Sequence, residues 1–281
     1  SLSQPMAAGS TGGRAGRYNA RMLDEQLVPL PEVGRVFRAG RRVRLGDADV
    51  EGRLRLDACA RYLQDIGNDD TAEAGTDVQG SNWVVRRAVV DELAPPRWRE
   101  WVDLATWCGG TGRRWAERRL SLQGERGGSV EVATLWVHVD LATMAPARLP
   151  DTFTSTYAES ALGRKVTSRR WVDGPAPDDA EHVAWPLRAT DLDLLRHVNN
   201  AAYWEAVEEQ LLGGPLAVRP GGGPHPLLSG PYRAVMEYGA GLAPAASVDI
   251  RVTQSDEHLS LWFMAGDAVD TWVTVLPLAT P

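Results

Sequence analysis

Residues 191–203 read D-L-D-L-L-R-H-V-N-N-A-A-Y and lead into a segment with helical apolar periodicity. The stretch places carboxylates, an imidazole and two amides where a turn enters a helix. The first N–H groups of a helix lack intrahelical acceptors and carry the positive end of the helix dipole, so they can stabilise a developing negative charge. A carboxylate or imidazole beside them can activate water or attack an electrophile. The structural alternative is that Asp193 and Asn199 only cap the turn and the helix.

A second stretch, residues 42–49, resembles residues 186–193. Each reads as a strand, an Asp-x-Asp turn and then a helix, and Asp49 and Asp193 lie 144 positions apart in a chain of 281 residues. The first helical pattern ends near Gly75 and the second at residues 213–215. The sequence therefore indicates an internal duplication.

Strand-like segments follow each helical pattern. They alternate apolar and polar residues or are rich in β-branched and aromatic residues, and Gly, Pro or Asp separates them. They comprise residues 83–90, 102–108, 115–122 and 130–139 in the first half, and 232–238, 247–252, 259–264 and 271–275 in the second. A long helix followed by an antiparallel meander, occurring twice, predicts an α+β architecture.

The domain organisation follows from where this pattern breaks. Residues 141–180 contain four prolines and little periodicity, which indicates an inter-domain connection. We predict a disordered lead-in at residues 1–33, an N-terminal domain at 34–145, a linker at 146–180, and a C-terminal domain at 181–281 that carries the reactive groups.

Composition narrows the functional classes. A net charge of −7 argues against a general nucleic-acid-binding protein, and the apolar runs are too short for a membrane span. Cys59 and Cys108 form neither a disulfide framework nor a zinc motif, so we expect a cytoplasmic protein with free thiols. The histidines show no metal-ligand spacing and no GxSxG motif is present, so we expect no metal, no cofactor and no Ser-His-Asp triad.

Residues 191–203 resemble the signature of the hot-dog thioesterases. Residues 35–278 are similar to the plant and bacterial fatty acyl-ACP thioesterase family. The similar stretches are the motif beginning V-R-L-G-D-A-D-V-E-G at Val43 and residues 83–87, 102–107 and 135–137, and they occur in the order that the family shows. The resemblance implies tandem hot-dog domains, each an antiparallel sheet wrapped around a long helix. It also implies hydrolysis of fatty acyl-ACP to free fatty acid and holo-ACP in fatty acid biosynthesis.

The resemblance assigns catalytic residues. Asp193 matches the second Asp of the family motif, His197 its histidine, and Glu237 a glutamate on a later strand. It implies that Asp193 activates water or attacks the thioester carbonyl, that Glu237 assists as general base or orients the water, and that His197 positions the carboxylate or the thioester oxygen. Backbone N–H groups near Asn199 and Asn200 would stabilise the oxyanion.

Two positions depart from the family pattern. Leu195 stands where the family usually has a catalytic Asn, and Tyr238 stands where plant members often have Cys, which removes a cysteine nucleophile. An apolar residue at position 195 is typical of the simpler acyl-CoA thioesterases. An acyl-CoA thioesterase and a non-catalytic acyl-thioester-binding protein are therefore the alternatives. The His-Val-Asn-Asn-x-x-Tyr pattern argues against a hot-dog dehydratase or hydratase. No such motif follows Asp49, which predicts one active site per chain.

Aromatic residues and arginines indicate the substrate contacts. We predict that Trp83, Trp107 and Tyr203 contact the acyl group and that Trp115 and Trp136, also on predicted strands, line the same pocket; ordinary packing is the alternative. Arginine pairs suit a phosphopantetheine arm or an acidic carrier, or form a solvated charged face. They lie at residues 41–42, 113–114, 118–119 and 169–170. The predicted partner is acyl carrier protein or acyl-CoA, bound by a monomer or a homodimer.

Overall fold

The computed structural model describes residue 22 and residues 25–77, 79–171, 175–245 and 247–278. Within these ranges the helices are α1 (Leu56–Ala74), α2 (Asp151–Tyr157) and α3 (Ala202–Leu212). The strands are β1 (Val36–Arg42), β2 (Ser81–Ala94), β3 (Trp101–Thr111), β4 (Trp115–Gly124), β5 (Ser129–Asp140), β6 (Glu181–Pro186), β7 (Tyr232–Glu237), β8 (Ser247–Ser255), β9 (His258–Ala265) and β10 (Ala268–Pro277). None of the described helices is long and apolar enough to cross a membrane.

The described strands form one antiparallel sheet in the order β1-β3-β4-β5-β2-β7-β10-β9-β8-β6. The first five strands in this order come from the N-terminal half and the last five from the C-terminal half. Read from the two edges of the sheet towards its centre, the two halves have the same topology. At the centre β2 pairs with β7, from Arg87 opposite Glu237 to Glu92 opposite Tyr232. The two halves are therefore related by a pseudo-twofold axis through this junction. The predicted duplication and the predicted α+β class are confirmed.

Helices α1 and α3 pack against each other on one face of the sheet, called here the inner face. The buried apolar side chains of both halves form one continuous core there. The predicted apolar face of α1 is confirmed, because its four members are buried: Leu56, Cys59, Leu63 and Ile66. The opposite, outer face carries a second apolar cluster around Trp171, Trp262 and Trp272.

The ends of α1 and α3 agree with their local sequence signals. Gly75 follows α1 with φ of 62°, and Gly213 follows α3 with φ of 68°. This left-handed conformation closes a helix and strains any residue with a Cβ, so glycine is preferred there.

The linker and the lead-in contain more structure than the sequence indicated. Residues 151–157 form α2, which buries Phe153 and Tyr157. Arg233 donates from Nη1 to the carbonyl oxygens of Met22 and Glu25, both at 2.7 Å, and Arg119 donates from Nε to that of Val28. Met22, Glu25 and Val28 thus contact the strands of the protein, whereas the sequence indicated a loose lead-in. Residues 1–21, 23 and 24 lie outside the described residues.

The two Asp-x-Asp turns have the same hydrogen-bonding pattern. The main-chain N–H of Asp49 donates to the carbonyl of Arg53 at 2.8 Å, and that of Asp193 donates to the carbonyl of His197 at 2.9 Å. Two further pairs of main-chain bonds match in the same way. The N–H of Gly52 donates to the carbonyl of Asp49 as that of Arg196 does to Asp193, and the N–H of Arg55 donates to the carbonyl of Asp47 as that of Asn199 does to Asp191. Each residue of the first turn therefore has a counterpart 144 positions later. The strand predicted directly before the first turn ends earlier than expected, because β1 ends at Arg42.

Candidate active site

One carboxylate oxygen of Asp193 holds the C-terminal turn together. Oδ1 accepts hydrogen bonds from the main-chain N–H groups of Leu195 at 2.8 Å and His197 at 3.1 Å. Oδ2 has no hydrogen-bond donor among the described residues, and the residue as a whole is half-buried. Asp193 thus fixes the loop with one oxygen and presents the other to a substrate or a water molecule.

The first turn treats the corresponding carboxylate differently. Asp49 Oδ1 also accepts from two main-chain N–H groups of its turn, at 2.8 Å each. Its Oδ2, however, forms an ion pair with Arg53 Nε at 2.8 Å, and the Asp49 side chain is only 3% exposed. Arg53 occupies the position that corresponds to His197. The carboxylate of the first turn is therefore neutralised and occluded.

His197 lies beside Asp193 on the inner side of the turn and is half-buried. A Cβ built on Gly241, whose φ is 95°, would lie 3.4 Å from Nδ1 of this imidazole. A Cβ would thus be in ordinary contact with the ring, and the positive φ is what favours glycine at position 241. Since no described residue hydrogen-bonds to the ring, both nitrogens can serve a substrate or a water molecule.

The start of α3 distinguishes Asn199 from Asn200. Asn199 Oδ1 accepts from the N–H of Ala201 at 2.8 Å and from Gln64 Nε2 of α1 at 3.3 Å. The N–H of Asn199 donates to Asp191 at 2.7 Å. Asn199 thus holds the turn that leads into α3, whose N-cap is Ala201. The N–H of Asn200, by contrast, has no acceptor among the described residues. It is the N–H best placed to stabilise an oxyanion.

The N–H that corresponds to Asn200 in the first half is that of Leu56, and it is occupied. It donates to Glu208 Oε1 of α3 at 2.5 Å. Burial, with Glu92 and Asp57 nearby, raises the pKa of Glu208 to about 8. Gln64 and Glu208 are themselves 144 positions apart, so the duplication offset is the sequence signal that marks them as equivalent positions, although their partners depend on how the two helices pack.

A narrow apolar cavity of about 30 Å³ lies on the inner face, between α1 and the sheet. Asn200, Trp204 and Tyr238 close the end that faces the C-terminal turn. The Trp204 indole donates to Tyr238 Oη at 2.9 Å, which in turn donates to the carbonyl of Asn200 at 3.3 Å. The other lining residues come from the N-terminal half: Leu56, Cys59, Ala60, Leu63, Gln64, Val85, Ala88, Val90, Val132, Thr134 and Trp136.

The aromatic residues predicted to contact substrate do not line this cavity. Trp83 packs against Phe153 of α2 with ring centroids 5.0 Å apart. Trp107, only 1% exposed, packs under the Arg119 guanidinium. Tyr203 accepts from the Leu242 N–H at 3.2 Å through its hydroxyl. Trp83 and Trp107 lie on strands, whose side chains alternate between faces, and only Trp136 among the predicted tryptophans faces the cavity. Tyr203 lies on α3, where its ring packs against Tyr238 and Phe263. A contact of Trp83, Trp107 or Tyr203 with the substrate stays a prediction.

Glu237 is not brought together with Asp193 and His197. Its neighbour Tyr238 belongs to the inner core, so the alternation of β7 directs Glu237 to the outer face. There both of its oxygens lie 3.0 Å from the Trp171 N–H, and Oε1 lies 3.5 Å from Arg87 Nη1. The pseudo-twofold partner of this pair is the Arg233–Asp91 ion pair at 2.6 Å. The placement favours a cross-domain structural role, and a catalytic role for Glu237 stays a prediction.

The substitution Glu237→Gln separates the two roles. Because the sheet lies between Glu237 and the turn, we expect kcat per folded molecule to stay within about 3-fold of wild type, far below the roughly 10²–10⁴-fold effect of losing a general base. We expect the free energy of unfolding to fall by about 2–4 kcal/mol, because the buried Arg87 loses its charge partner. Steady-state kinetics and denaturant unfolding measure both quantities. A 100-fold loss of kcat in a stable variant would assign Glu237 to catalysis.

The described residues contain no group of three or more His, Cys, Asp or Glu side chains that could hold a metal ion. The chemistry available at the turn is therefore that of a half-buried carboxylate, an imidazole and a helix N-terminus beside an apolar cavity.

Comparison with known proteins identifies relatives over most of the chain. The family model of the acyl-ACP thioesterase N-terminal domain matches residues 34–157, and that of the C-terminal domain matches residues 175–214. An uncharacterised protein of Mycobacterium tuberculosis is 33% identical over 252 residues, which cover 90% of this chain and 96% of that protein. The chloroplastic oleoyl-acyl carrier protein thioesterase of Coriandrum sativum is 23% identical over 219 residues, 66% of this chain and 58% of that protein.

Solved structures show the same fold. The 12:0-ACP thioesterase of Umbellularia californica superposes with a TM-score of 0.68 at 16% identity, over 87% of this chain and 97% of that one. An acyl-ACP thioesterase of Bacteroides thetaiotaomicron gives a TM-score of 0.62 at 15% identity, over 86% and 97%. These likenesses confirm the tandem hot-dog fold. Because the family models together match more than half of the residues, the chain belongs to the acyl-ACP thioesterase family.

Proposed function

We propose that this protein hydrolyses fatty acyl-ACP thioesters to free fatty acid and holo-ACP, with one active site at the C-terminal turn. The observation that carries the proposal is the difference between the two duplicated turns. In the C-terminal turn, Asp193 Oδ2 and the Asn200 N–H lack partners among the described residues. In the N-terminal turn, Arg53 and Glu208 occupy the corresponding groups. Only the C-terminal turn can therefore offer both a base and an oxyanion donor.

The reaction needs few groups. As a water oxygen attacks the thioester carbonyl carbon, Asp193 Oδ2 accepts the proton of that water. The Asn200 N–H, at the positive end of α3, stabilises the oxyanion of the tetrahedral intermediate. When the C–S bond breaks, the proton passes to the leaving thiolate, which gives carboxylic acid and thiol. Direct attack by the same carboxylate oxygen is the covalent variant of this route. His197, beside Asp193, orients the water or the thioester.

The inner cavity supports a fatty acyl substrate. It is apolar, ends at Asn200, and is lined mainly by the N-terminal half. The Cys59 thiol is uncharged there, because burial raises its pKa to about 12. Since a volume of about 30 Å³ is smaller than a fatty acyl tail, the lining side chains have to move when the tail enters. The N-terminal half thus binds the tail and the C-terminal half carries out the chemistry.

The proposal also names the carrier of the acyl group, which is either acyl carrier protein or coenzyme A. Family membership supports acyl carrier protein and a place in fatty acid biosynthesis. A cytoplasmic location is part of the proposal and rests on the cysteine content alone. Leu195 favours the alternative, acyl-CoA. Its side chain is 47% exposed, and only its main-chain N–H contacts Asp193. Position 195 therefore contributes main-chain support to the turn and no side-chain hydrogen bond.

Release of free thiol from a panel of acyl-ACP and acyl-CoA substrates of increasing chain length tests the proposal. We expect turnover of acyl-ACP with an optimum of chain length, because each methylene that the opened cavity buries adds apolar contact until the tail exceeds the room that the lining can provide. A higher kcat/KM for acyl-CoA would move the protein to the acyl-CoA alternative. Absence of thiol release from every substrate would contradict hydrolysis and leave the non-catalytic binding alternative.

A further inference from the structure

A second pocket, of about 280 Å³, opens on the outer face at the junction between the two halves. It is called here the outer pocket. Three arginines line it, Arg86, Arg114 and Arg170, together with Ser168, Glu237 and Tyr238. Arg114 and Arg170 are exposed, whereas Arg86 is partly buried and donates from Nη1 to the carbonyl of Gly239. The pocket is thus accessible and has a fixed guanidinium at its base.

The charges of the outer pocket are unbalanced. None of its three arginines has a carboxylate partner within ion-pair distance among the described residues. The carboxylate of Glu237 is engaged by Arg87 and by the Trp171 N–H. Burial and the proximity of Arg170 lower the pKa of Arg86, whereas Asp270 opposes this shift from beyond ion-pair distance. Converging guanidinium groups without acidic partners match an anion with several oxygens, such as a phosphate.

The other arginine pairs noted in the sequence are already satisfied. Arg118 pairs with the buried Asp70 at 2.6 Å, and Arg119 pairs with Glu131 at 3.1 Å. Arg41 pairs with Asp65 at 3.0 Å. The outer pocket is therefore the place among the predicted clusters where positive charge is left for a ligand.

The outer pocket adjoins the catalytic turn through Tyr238, which lines both this pocket and the inner cavity. Strand β7 ends at Glu237, whereas β2 continues to Ser81 without a β7 partner beyond Arg87 among the described residues. One more main-chain bond, from the Tyr238 N–H to the carbonyl of Arg86 at 3.0 Å, continues the pairing, and the two chains separate beyond it. A ligand with its anionic end in the outer pocket would approach the Asn200 side of the cavity past Tyr238.

We propose that the outer pocket binds the phosphate of the pantetheine arm on which the acyl group is carried. This inference rests on the proposed function and adds the recognition of the carrier to it. Both acyl carrier protein and coenzyme A present a phosphate on a pantetheine arm, so the chemistry is shared. In either case Arg86, Arg114 and Arg170 hold the phosphate on the outer face. The flexible pantetheine arm, unlike the short Glu237 side chain, is long enough to pass Tyr238 beyond the end of β7 and bring the thioester to Asp193.

The test compares two double variants that remove the same charge from the same segments. Arg114→Ala with Arg170→Ala removes the exposed arginines of the pocket. Arg113→Ala with Arg169→Ala removes their sequence neighbours, which do not line it. The substrates share one acyl chain, carried on acyl carrier protein, on coenzyme A, or on the phosphate-free N-acetylcysteamine. The measured quantity is the ratio of kcat/KM for each phosphate-bearing substrate to that for the phosphate-free substrate.

We expect the pocket variant to lower this ratio about 10-fold or more, because two charge-assisted contacts to phosphate are lost. We expect the neighbour variant to change it less than about 3-fold, because long-range attraction is screened by salt. A fall with acyl-ACP alone, or with acyl-CoA alone, identifies the carrier that uses the pocket. An unchanged ratio, or an equal fall in both double variants, overturns the proposal.

Binding of 4′-phosphopantetheine and of phosphate-free pantetheine to the wild-type protein separates this inference from the proposed function. We expect calorimetry to show about 10-fold tighter binding of the phosphorylated compound. We also expect the pocket variant to lose this preference and the neighbour variant to keep it. If no thioester is hydrolysed but the preference follows this pattern, the pocket assignment stands and the proposed function fails. If the protein hydrolyses acyl thioesters but binds both compounds equally well, the proposed function stands and the pocket assignment fails.

Discussion

The substitution Asp193→Asn is expected to lower kcat for acyl thioester hydrolysis by about 10²–10⁴-fold, the range for loss of a general base. An amide cannot accept the proton of an attacking water and is a poor nucleophile. The amide oxygen of Asn can still accept the two N–H groups that Asp193 Oδ1 now accepts, at 2.8 and 3.1 Å. The turn should therefore remain folded, so that the loss of rate reports chemistry. Thiol release under saturating substrate measures it.

The duplication supplies a matched control. Asp49→Asn makes the same change at the same position of the first turn, where the carboxylate is ion-paired with Arg53. We expect this variant to lose stability, because Arg53 is left without its partner, but to keep kcat per folded molecule within about 3-fold. Equal losses of kcat in both variants would mean that Asp193 acts through folding alone. An unchanged rate in Asp193→Asn would exclude it as base and as nucleophile.

The features that sequence predicted are those with a local signal. The two turns, the apolar face of α1 and the glycines that end α1 and α3 each depend on residues a few positions apart. The proximity of Asp193 and His197 could be predicted for the same reason, since both lie on one turn. Helix α2 was missed because it has only seven residues, of which Phe153 and Tyr157 are the buried apolar ones.

The features that sequence did not predict depend on distant partners. The face on which Glu237 lies is set by pairing of β7 with β2, and β2 carries a register shift between Val85 and Arg87. An alternating pattern divides a strand into two sets of side chains but does not say which set faces the helices. The contact of Glu208 with the Leu56 N–H joins residues 152 positions apart. The offset of 144 positions between the two turns is the feature of the sequence that shows which residues of the two halves are equivalent.

The substitution Glu208→Gln is expected to stabilise the protein at high pH. Burial, together with Glu92 and Asp57, raises the pKa of Glu208 from 4.5 to about 8, although the hydrogen bond from the Leu56 N–H and the charge of Arg53 oppose the shift. In the folded state this carboxyl therefore keeps a proton that the unfolded chain has released above pH 4.5 or so. Its contribution to stability is fully present below that pH and is lost as pH rises towards about 8. Gln stays neutral and can accept the Leu56 N–H through Oε1.

Denaturant unfolding at pH 5 and at pH 8 measures this contribution. Between these values we expect the free energy of unfolding of wild type to fall by about 2–4 kcal/mol more than that of Glu208→Gln. Glu209→Gln removes one carboxyl from the next position of α3, where the side chain is partly exposed, and controls for the change in net charge. Parallel pH dependences of wild type and Glu208→Gln would show that Glu208 is already ionised in the folded state. The N-terminal turn would then hold a carboxylate against the Leu56 N–H, as a substrate oxyanion is proposed to sit against Asn200. A difference of the expected size instead means that a neutral acid closes the first turn, which leaves the C-terminal turn as the one able to stabilise negative charge.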